Sequence, residues 1–536
     1  MVFDYTVGMT GEAGSNGLLG NYDPFTYDGG AVLPGDRYWD YGTMRKINFL
    51  IEKLPVLAAK YGEQKLNNWM ASAYFCRAYI YFSLARRYGG VPIIDQVQNY
   101  PEQSIEELQV SRNKEDAVWE CVKEDFDRAI SMFPDTPLSP YDALPNKYSA
   151  AAMKSRAMLH AASIAKYGTM QLGDLLGVPR NKAAYYFKEA YNAAKILEGK
   201  YSLYNKETDK VINFANIFLD KSSPENILVQ EFLRPSKIHS WNCHISPKQF
   251  GVSYGSVWGP TLNLVGLFGE VPIGTTAAPV RCDSYEQLLT GLEPRLRGSI
   301  LFPSETFRKQ KIKVQTGIFP TFPGTPVTST DPSVEWEAPG GTKYQICGES
   351  GMEGSGTSTG FHIRKYLLAD PMPDDLQEWN DQTMWIEMRY AEVLLNRAEA
   401  ACELYAEGER DADYLQDAFT CMNDVRDRAG AALVADKSTL TDLEIVRLER
   451  AKELAFENTT YWDYIRWRAF DMKIDNRMNY RLSPYFVADE NKYIFLREQQ
   501  QFVTGYTFPV RLYYHQIPPG EISKNTNLLP QNPYQD

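Results

Sequence analysis

The chain has 536 residues, with 56 Lys plus Arg against 68 Asp plus Glu and a formal net charge of −12. It lacks the concentrated positive charge that a phosphate backbone demands of its binder, which excludes nucleic acid as a partner. No apolar run approaches the roughly 20 residues of a membrane span. No linker separates autonomous blocks, so one or two large lobes are expected.

Met1-Val2-Phe3-Asp4 runs into polar, Gly-rich chain with no signal peptide, so any leader is expected to have been removed. Residues 1–37 read as a loop region. Residues 38–199 then read as helix after helix: Tyr38 to Tyr61, Asn67 to Tyr88, Asn113 to Phe133, Asn146 to Tyr167, and a fifth from Lys182 to Leu197. In the second, Trp69, Ala73, Cys76, Ile80 and Leu84 recur at steps of three and four. Gly89, Gly90 and Pro92 end that helix. Met153, Ala157, His160 and Ile164 mark the buried stripe of the fourth, and Tyr186, Ala190, Ala193 and Leu197 that of the fifth. The last three start 33 to 36 residues apart, near the tetratricopeptide period of about 34, with Ala150, Ala157 and Ala161 where paired helices must approach. Stacked helix hairpins are expected, each pair burying its neighbour's apolar face.

From 200 to 384 the helical pattern disappears. "NILVQEFL" reads as a short strand, and "TFPGTPVTSTDPS" and "GESGMEGSGTSTG" as irregular chain. An insertion of this length is more often a binding surface than an idle connector. From 385 to 536 helices resume. Ile386, Tyr390, Leu394, Ala401 and Tyr405 share one face, and Tyr414, Ala418, Cys421 and Val425 another. "EIVRLERAKELAFENTTYWDYIRWRAF" reads as strongly helical, with Arg447, Glu449, Arg450 and Glu453 pairing across turns. The tail carries Phe508, Tyr513, Tyr514 and Leu528 and is expected to dock. The architecture is therefore mainly α, a tetratricopeptide-like scaffold with a large loop-rich lobe.

The seven cysteines include no C-x-x-C pair and read as buried free thiols, and five scattered histidines make no metal set. His160 reads as a core histidine. "DPMPDD" is an acidic turn whose oxygens suit calcium, though exposure is its simpler reading. Glu387, Glu392 and Glu399 are the acids that most invite a glycosidase reading. Their nearness to Arg389 and Arg397 along the helix argues for scaffold pairing instead. Neither a catalytic set nor a cofactor is expected.

Four blocks in order, "RYWDYGTMRKINFLIE", "ASAYFCRAYIYFSLARRYGGVPIID", "EMRYAEVLLNRAEA" and "RLERAKELAFENTTYWDYIRW", followed by "FPVRLYYHQIPPGEISKNTNLLPQNPYQ", resemble the SusD/RagB-like glycan-binding lipoproteins of the bacterial outer membrane. The resemblance covers nearly the whole chain. It implies a non-enzymatic surface protein for nutrient uptake that captures an oligosaccharide, in some members a peptide. It also implies a SusC-like TonB-dependent transporter as partner and an N-terminal lipid anchor to the outer membrane, although no Cys precedes Cys76 here. The ligand surface implied is an arc of aromatic rings: Tyr22, Phe25 and Tyr27 ahead of the scaffold, and Trp241, Tyr254 and Trp258 in the insertion. Asn242 and Gln249 are the candidate partners for sugar hydroxyls. Aromatic faces stack on the C–H faces of sugars while amides select hydroxyls. Trp258 leads these candidates because Gly255 and Gly259 leave its ring uncrowded. An all-helical glycoside hydrolase and a peptide-binding scaffold remain alternatives.

Overall fold

Asp40 and Asn146 explain where two of the scaffold helices begin. The Asp40 carboxylate accepts from Thr43 N at the start of helix Tyr41–Lys53, and the Asn146 amide oxygen accepts from Tyr148 N and Ser149 N at the start of Lys147–Tyr167. Each supplies an acceptor to amides that the first turn leaves unpaired. The computed structural model describes residues 6–15, 38–100, 102–136, 144–252, 254–351, 356–369, 376–474, 478–500 and 508–533. Helix Glu63–Tyr88 packs on Glu115–Met132, that helix on Lys147–Tyr167, and that on Ala183–Lys195. Ala183–Lys195 then packs on Tyr390–Ala406, although the whole 200–384 stretch intervenes, and Tyr390–Ala406 packs on Tyr414–Ala429 and Leu443–Glu453. The scaffold is thus continuous in space, and the insertion leaves and rejoins it. Ala150, Ala157 and Ala161 are fully buried, so neighbouring backbones approach closely. His160 lies among them, stacked on Trp119 at 5.4 Å, and burial holds its pKa well below the ordinary histidine value.

Two stripes differ from the sequence reading. Ala73, Ile80 and Leu84 are buried, but Trp69 is 40% exposed and Cys76 is exposed. Near the start of the helix Leu66 is buried, whereas the Trp69 ring meets Tyr61 edge-on at 5.3 Å and stays partly open. Ile386 lies not on a helix but in strand Trp385–Arg389, which pairs antiparallel with Asn226–Gln230 and leads directly into Tyr390–Ala406.

The turn after Tyr88 is tight. Gly89 has φ +67°, and Gly90 N donates to Leu175 O at 2.7 Å. A Cβ on Gly90 would lie 2.2 Å from Asn113 O and 2.7 Å from Leu175 O, both backbone atoms. Gly90→Ala is therefore expected to cost at least about 2 kcal/mol in denaturant unfolding, since neither carbonyl can swing away. An unchanged midpoint would refute that reading.

The expected long helix from 444 is broken. Leu443–Glu453 ends, Phe456 and Asn458 take φ +64° and +58°, and Thr460–Arg466 starts afresh. Glu12 fills the break: its carboxylate accepts from Phe456 N at 3.2 Å and from the Thr460 hydroxyl at 2.9 Å. Five short strands form one sheet, in the order Arg281–Cys282, Lys492–Gln499, Tyr480–Val487, Gly317–Phe319 and Val327–Thr328, with Tyr480–Val487 and Gly317–Phe319 parallel. Phe508, Tyr513, Tyr514 and Leu528 of the tail are buried.

Between lobe and scaffold lies a buried charge cluster. Glu453 accepts from Arg295 at 2.8 Å, from Arg389 at 2.7 Å and from Arg428. Glu225 accepts from Arg389 and Arg428, and Glu457 from Arg389 and Lys365. Glu449 accepts from Arg295. With half-buried Arg426 on Glu449 and Glu293 on Arg295 included, the five cations Arg295, Lys365, Arg389, Arg426 and Arg428 are balanced by the five carboxylates Glu225, Glu293, Glu449, Glu453 and Glu457. Arg447, Glu449, Arg450 and Glu453 do not pair with one another: Arg450 meets Asp463 and Glu399 on other helices, and Arg447 meets Glu403 on Tyr390–Ala406 and Glu444 one turn back in its own helix. No helix among the described residues is long and apolar enough to cross a membrane.

Candidate functional site

Trp258 belongs to the core. Strand Ala13–Ser15 pairs with Trp258–Pro260, and the Trp258 ring, 3% exposed, lies so close to the Thr6–Met9 turn that a Cβ on Gly8 would come within 3.0 Å of it. Gly255 and Gly259 admit the close approach of Ser246 O and of Thr359 and Phe361, and a segment some 250 residues earlier covers the ring. Trp258→Ala is expected to cost roughly 3 kcal/mol of stability by opening a cavity, read by chemical denaturation. Ligand affinity of the folded protein should be unaltered, and a selective loss of binding would reverse this assignment. Trp241, 6% exposed, is likewise interior, its Nε1–H directed at Lys365 O at 3.4 Å. Tyr22, Phe25 and Tyr27 lie outside the described residues, as does residues 370–375, the acidic turn.

Asn242 is buried with every amide group used. Its Nδ2 donates to Asp381 Oδ2 and to Thr383 Oγ1, each at 2.8 Å, its backbone N donates to Asp381 Oδ2 at 2.9 Å, and its Oδ1 accepts from Leu368 N at 2.8 Å. Its hydrogen-bonding groups are therefore spent inside the protein, on Asp381, Thr383 and Leu368. Asp381 also exchanges backbone hydrogen bonds with His239. Gln249 bridges Lys311 O and Lys313 N.

What this buried network holds is the turn that displays Trp379. Trp379 is 63% exposed at φ +59°, its backbone N donating to Ser240 Oγ at 2.8 Å. A bulky residue at positive φ is rare and persists only where its surroundings enforce it. Here Ser240, Asn242 and Asp381 do so. On the same loop, Arg234 Nε donates to Asn380 O, and Arg234 N to Gln382 Oε1 at 3.1 Å. A groove of about 230 Å³ adjoins this loop, lined by Phe218, Lys221, Arg234, Leu368 and Gln382 among others. On the other side Glu378 lies 3.6 Å from His244 Nε2, and His244 meets half-buried Tyr254 edge-on at 6.1 Å. Burial holds the His244 pKa below the usual histidine value even beside Glu378. The arrangement is one open aromatic face with amide, cationic and carboxylate groups around it. Trp336 is the insertion's other partly open tryptophan, but it spends one face on Tyr344 across the Glu335–Glu337/Lys343–Gln345 hairpin, at 6.1 Å.

The carboxylates that invite a hydrolase reading are committed to arginines, though not to those nearest in sequence. Arg156 clamps Glu387 at 2.7 Å and Glu392 at 2.7 Å, and Arg466 grips Glu399 bidentately at 2.6 Å. Among the described residues no cluster of His, Cys, Asp and Glu is arranged to hold a metal ion.

The sequence profile described as the SusD family matches residues 236–534, more than half of the chain. The chain belongs to the SusD family. A second profile, described as starch-binding and associating with the outer membrane, matches residues 36–159 of this SusD-family protein. SusD-like protein P2 of Formosa agariphila is 24% identical over 483 residues, 88% of this chain and 75% of that protein. A SusD-like protein of Bacteroides fragilis superposes with TM-score 0.64 at 22% identity, over 92% of this chain and 84% of that one. A SusD-like carbohydrate-binding protein of the same organism gives 0.62 at 20% identity, over 92% and 85%. The helical, tetratricopeptide-like scaffold anticipated from sequence is the fold of this family.

Proposed function

We propose that this SusD-family protein is a non-catalytic, surface-exposed glycan-binding lipoprotein that captures an oligosaccharide at the Trp379 loop and passes it to a SusC-like TonB-dependent transporter. The observation that carries the reading is Trp379 itself, a mostly exposed indole held at positive φ by a fully bonded buried network. An aromatic face fixed in advance binds a sugar ring without the cost of ordering it. Lys221, Arg234 and Gln382 in the adjoining groove would select hydroxyls. Family membership and the starch-binding, outer-membrane description of the second matching profile support the same role. The Arg156 clamp on Glu387 and Glu392 favours binding over turnover, because a general acid must be free to carry and release a proton. Exposed Phe49, Leu50, Val56, Tyr61 and Trp69 on the first helices supply an apolar face suited to a protein partner.

Affinity electrophoresis and calorimetry against plant, host and microbial polysaccharides, paired with a reducing-sugar assay, test the proposal. Binding to at least one glycan without release of product is expected. Released sugars would refute the non-catalytic reading, and silence across the panel would refute glycan capture.

A further inference from the structure

A cavity of about 130 Å³ lies where helices Glu63–Tyr88, Lys147–Tyr167, Tyr390–Ala406 and Thr460–Arg466 meet strands Asn226–Gln230 and Trp385–Arg389. That is on the order of ten times what one water requires. Its walls are charged, and nearly every charge is answered. Arg156 is paired with Glu387 and Glu392, Arg450 with Asp463 and Glu399, Arg466 with Glu399 and Asp463, and Glu457 with Arg389 and Lys365. Arg86, next to Arg87 in the same wall, stands apart. Its guanidinium stacks over Trp462 at 4.0 Å and Phe82 at 4.9 Å, its Nε is buried without a hydrogen-bond partner, and it has no carboxylate in ion-pair range among the described residues. Burial first, and the Arg87 charge second, push its pKa down to about 9.

We infer that this cavity is a binding site for a small monoanionic carboxylate, received by the edge of the Arg86 guanidinium. A guanidinium held by its faces between rings leaves its planar edge of N–H donors for a planar, two-oxygen acceptor. The Arg86 charge, which Glu387 offsets only at longer range than an ion pair, favours a ligand with a single negative charge. Glu387, Glu392, Glu457 and Asp463 in the same walls oppose a dianion such as sulfate or hydrogen phosphate. Gln230 and Asn458, neutral and also lining the cavity, suit the uncharged part of the ligand. The carboxylate belongs either to a free short-chain acid or to an acidic sugar such as a uronic acid. The site is separate from the Trp379 loop and does not depend on glycan capture there.

The test is calorimetric titration of the full chain with acetate, glucuronate, glucose and sulfate. Acetate or glucuronate should bind and glucose and sulfate should not; preference for glucuronate over acetate identifies an acidic sugar, and the reverse a free acid. Arg86→Met should weaken the carboxylate at least about tenfold, the factor one charge-assisted hydrogen bond carries, while Arg86→Lys retains part of it. Should Arg86→Met misfold, crystals of the unaltered protein soaked in bromoacetate should show anomalous bromine density in the cavity with the carboxylate on Arg86. Carboxylate binding unchanged in Arg86→Met, sulfate binding as tightly as acetate, or no bromine in the cavity at saturation would each overturn the inference.

Discussion

Glu453→Gln is expected to cost about 5 kcal/mol of folding stability, the upper end of what removing one partner of a buried ion pair costs. Three arginines, Arg295, Arg389 and Arg428, converge on that carboxylate, which is fully buried. The cluster is neutral as built, and the amide leaves it with one excess positive charge in a site where water cannot compensate. Loss on that scale is a large share of the 5–15 kcal/mol typical of a folded protein. Because the cluster joins Leu443–Glu453 to Arg295 and Lys365 of the lobe, to Arg389 of strand Trp385–Arg389 and to Glu225 just ahead of its partner strand, lobe and scaffold should loosen together. Adding Arg428→Met restores the charge balance, so the double variant should be less destabilised than the two single losses summed. The pH dependence has a definite sign. Burial alone would raise the Glu453 pKa, but Arg428, Arg389 and Arg295 outweigh it and hold it down to about 2; Arg466 and Arg450 do the same for Glu399. Their folded-state values are below the unfolded value, so this stability is fully present above pH 4.5 and is lost as pH falls from there towards 2. Urea unfolding should show a steep acid limb in that window, and a shallower one in Glu453→Gln. A midpoint unmoved by Glu453→Gln at pH 7 would sink the account.

The scaffold helices were legible because each carries its own evidence. Tyr186, Ala190, Ala193 and Leu197 repeat at helical spacing, Asn146 caps, and Gly89 and Gly90 stop. What escaped was decided by partners distant in sequence. "RLERAKELAFENTTYWDYIRW" has continuous helical character, and nothing local announces that Glu12 will fill a break at 454–459. Its charges suggest pairing along the helix, whereas a buried carboxylate takes whichever guanidinium the tertiary fold presents. The hairpin Tyr480–Val487/Lys492–Gln499 was also missed, for its turn at 488–491 lacks glycine and Pro484 argues against a strand. Ile386 fits a helical face by spacing alone, but the strand that claims it comes from residues 226–230.

Site residues were harder still, because exposure of a ring is a property of the whole fold. Trp241 and Trp258 have the composition of a binding loop and end as core. Asn242 carries a functional consequence of another kind, since its amide organises Asp381 beneath the displayed turn. One local signal did mark Trp379. "EWND" places a large ring beside Asn380 and Asp381, residues that favour turns by bonding their own backbone, in chain with no helical period to bury it.

Trp379→Ala is expected to weaken glycan binding by about thirtyfold or more, the scale of an interfacial hot spot, and to leave stability within about 0.5 kcal/mol because the ring is mostly exposed. That combination separates a ligand contact from a packing residue. Trp258→Ala should show the reverse, lost stability with affinity retained. Asn242→Ala supplies the intermediate case: it removes three hydrogen bonds of the support, including both from Nδ2 to Asp381 and Thr383, yet leaves the indole in place. Affinity should then fall by less than in Trp379→Ala, because a loosened loop must be ordered again on binding. Calorimetry on the best polysaccharide of the panel reads all three. If Trp379→Ala binds as tightly as the unaltered chain and Trp336→Ala abolishes binding, the ligand surface is the Glu335–Glu337/Lys343–Gln345 hairpin, where Trp336 and Tyr344 stack, and the Trp379 loop is not the capture site.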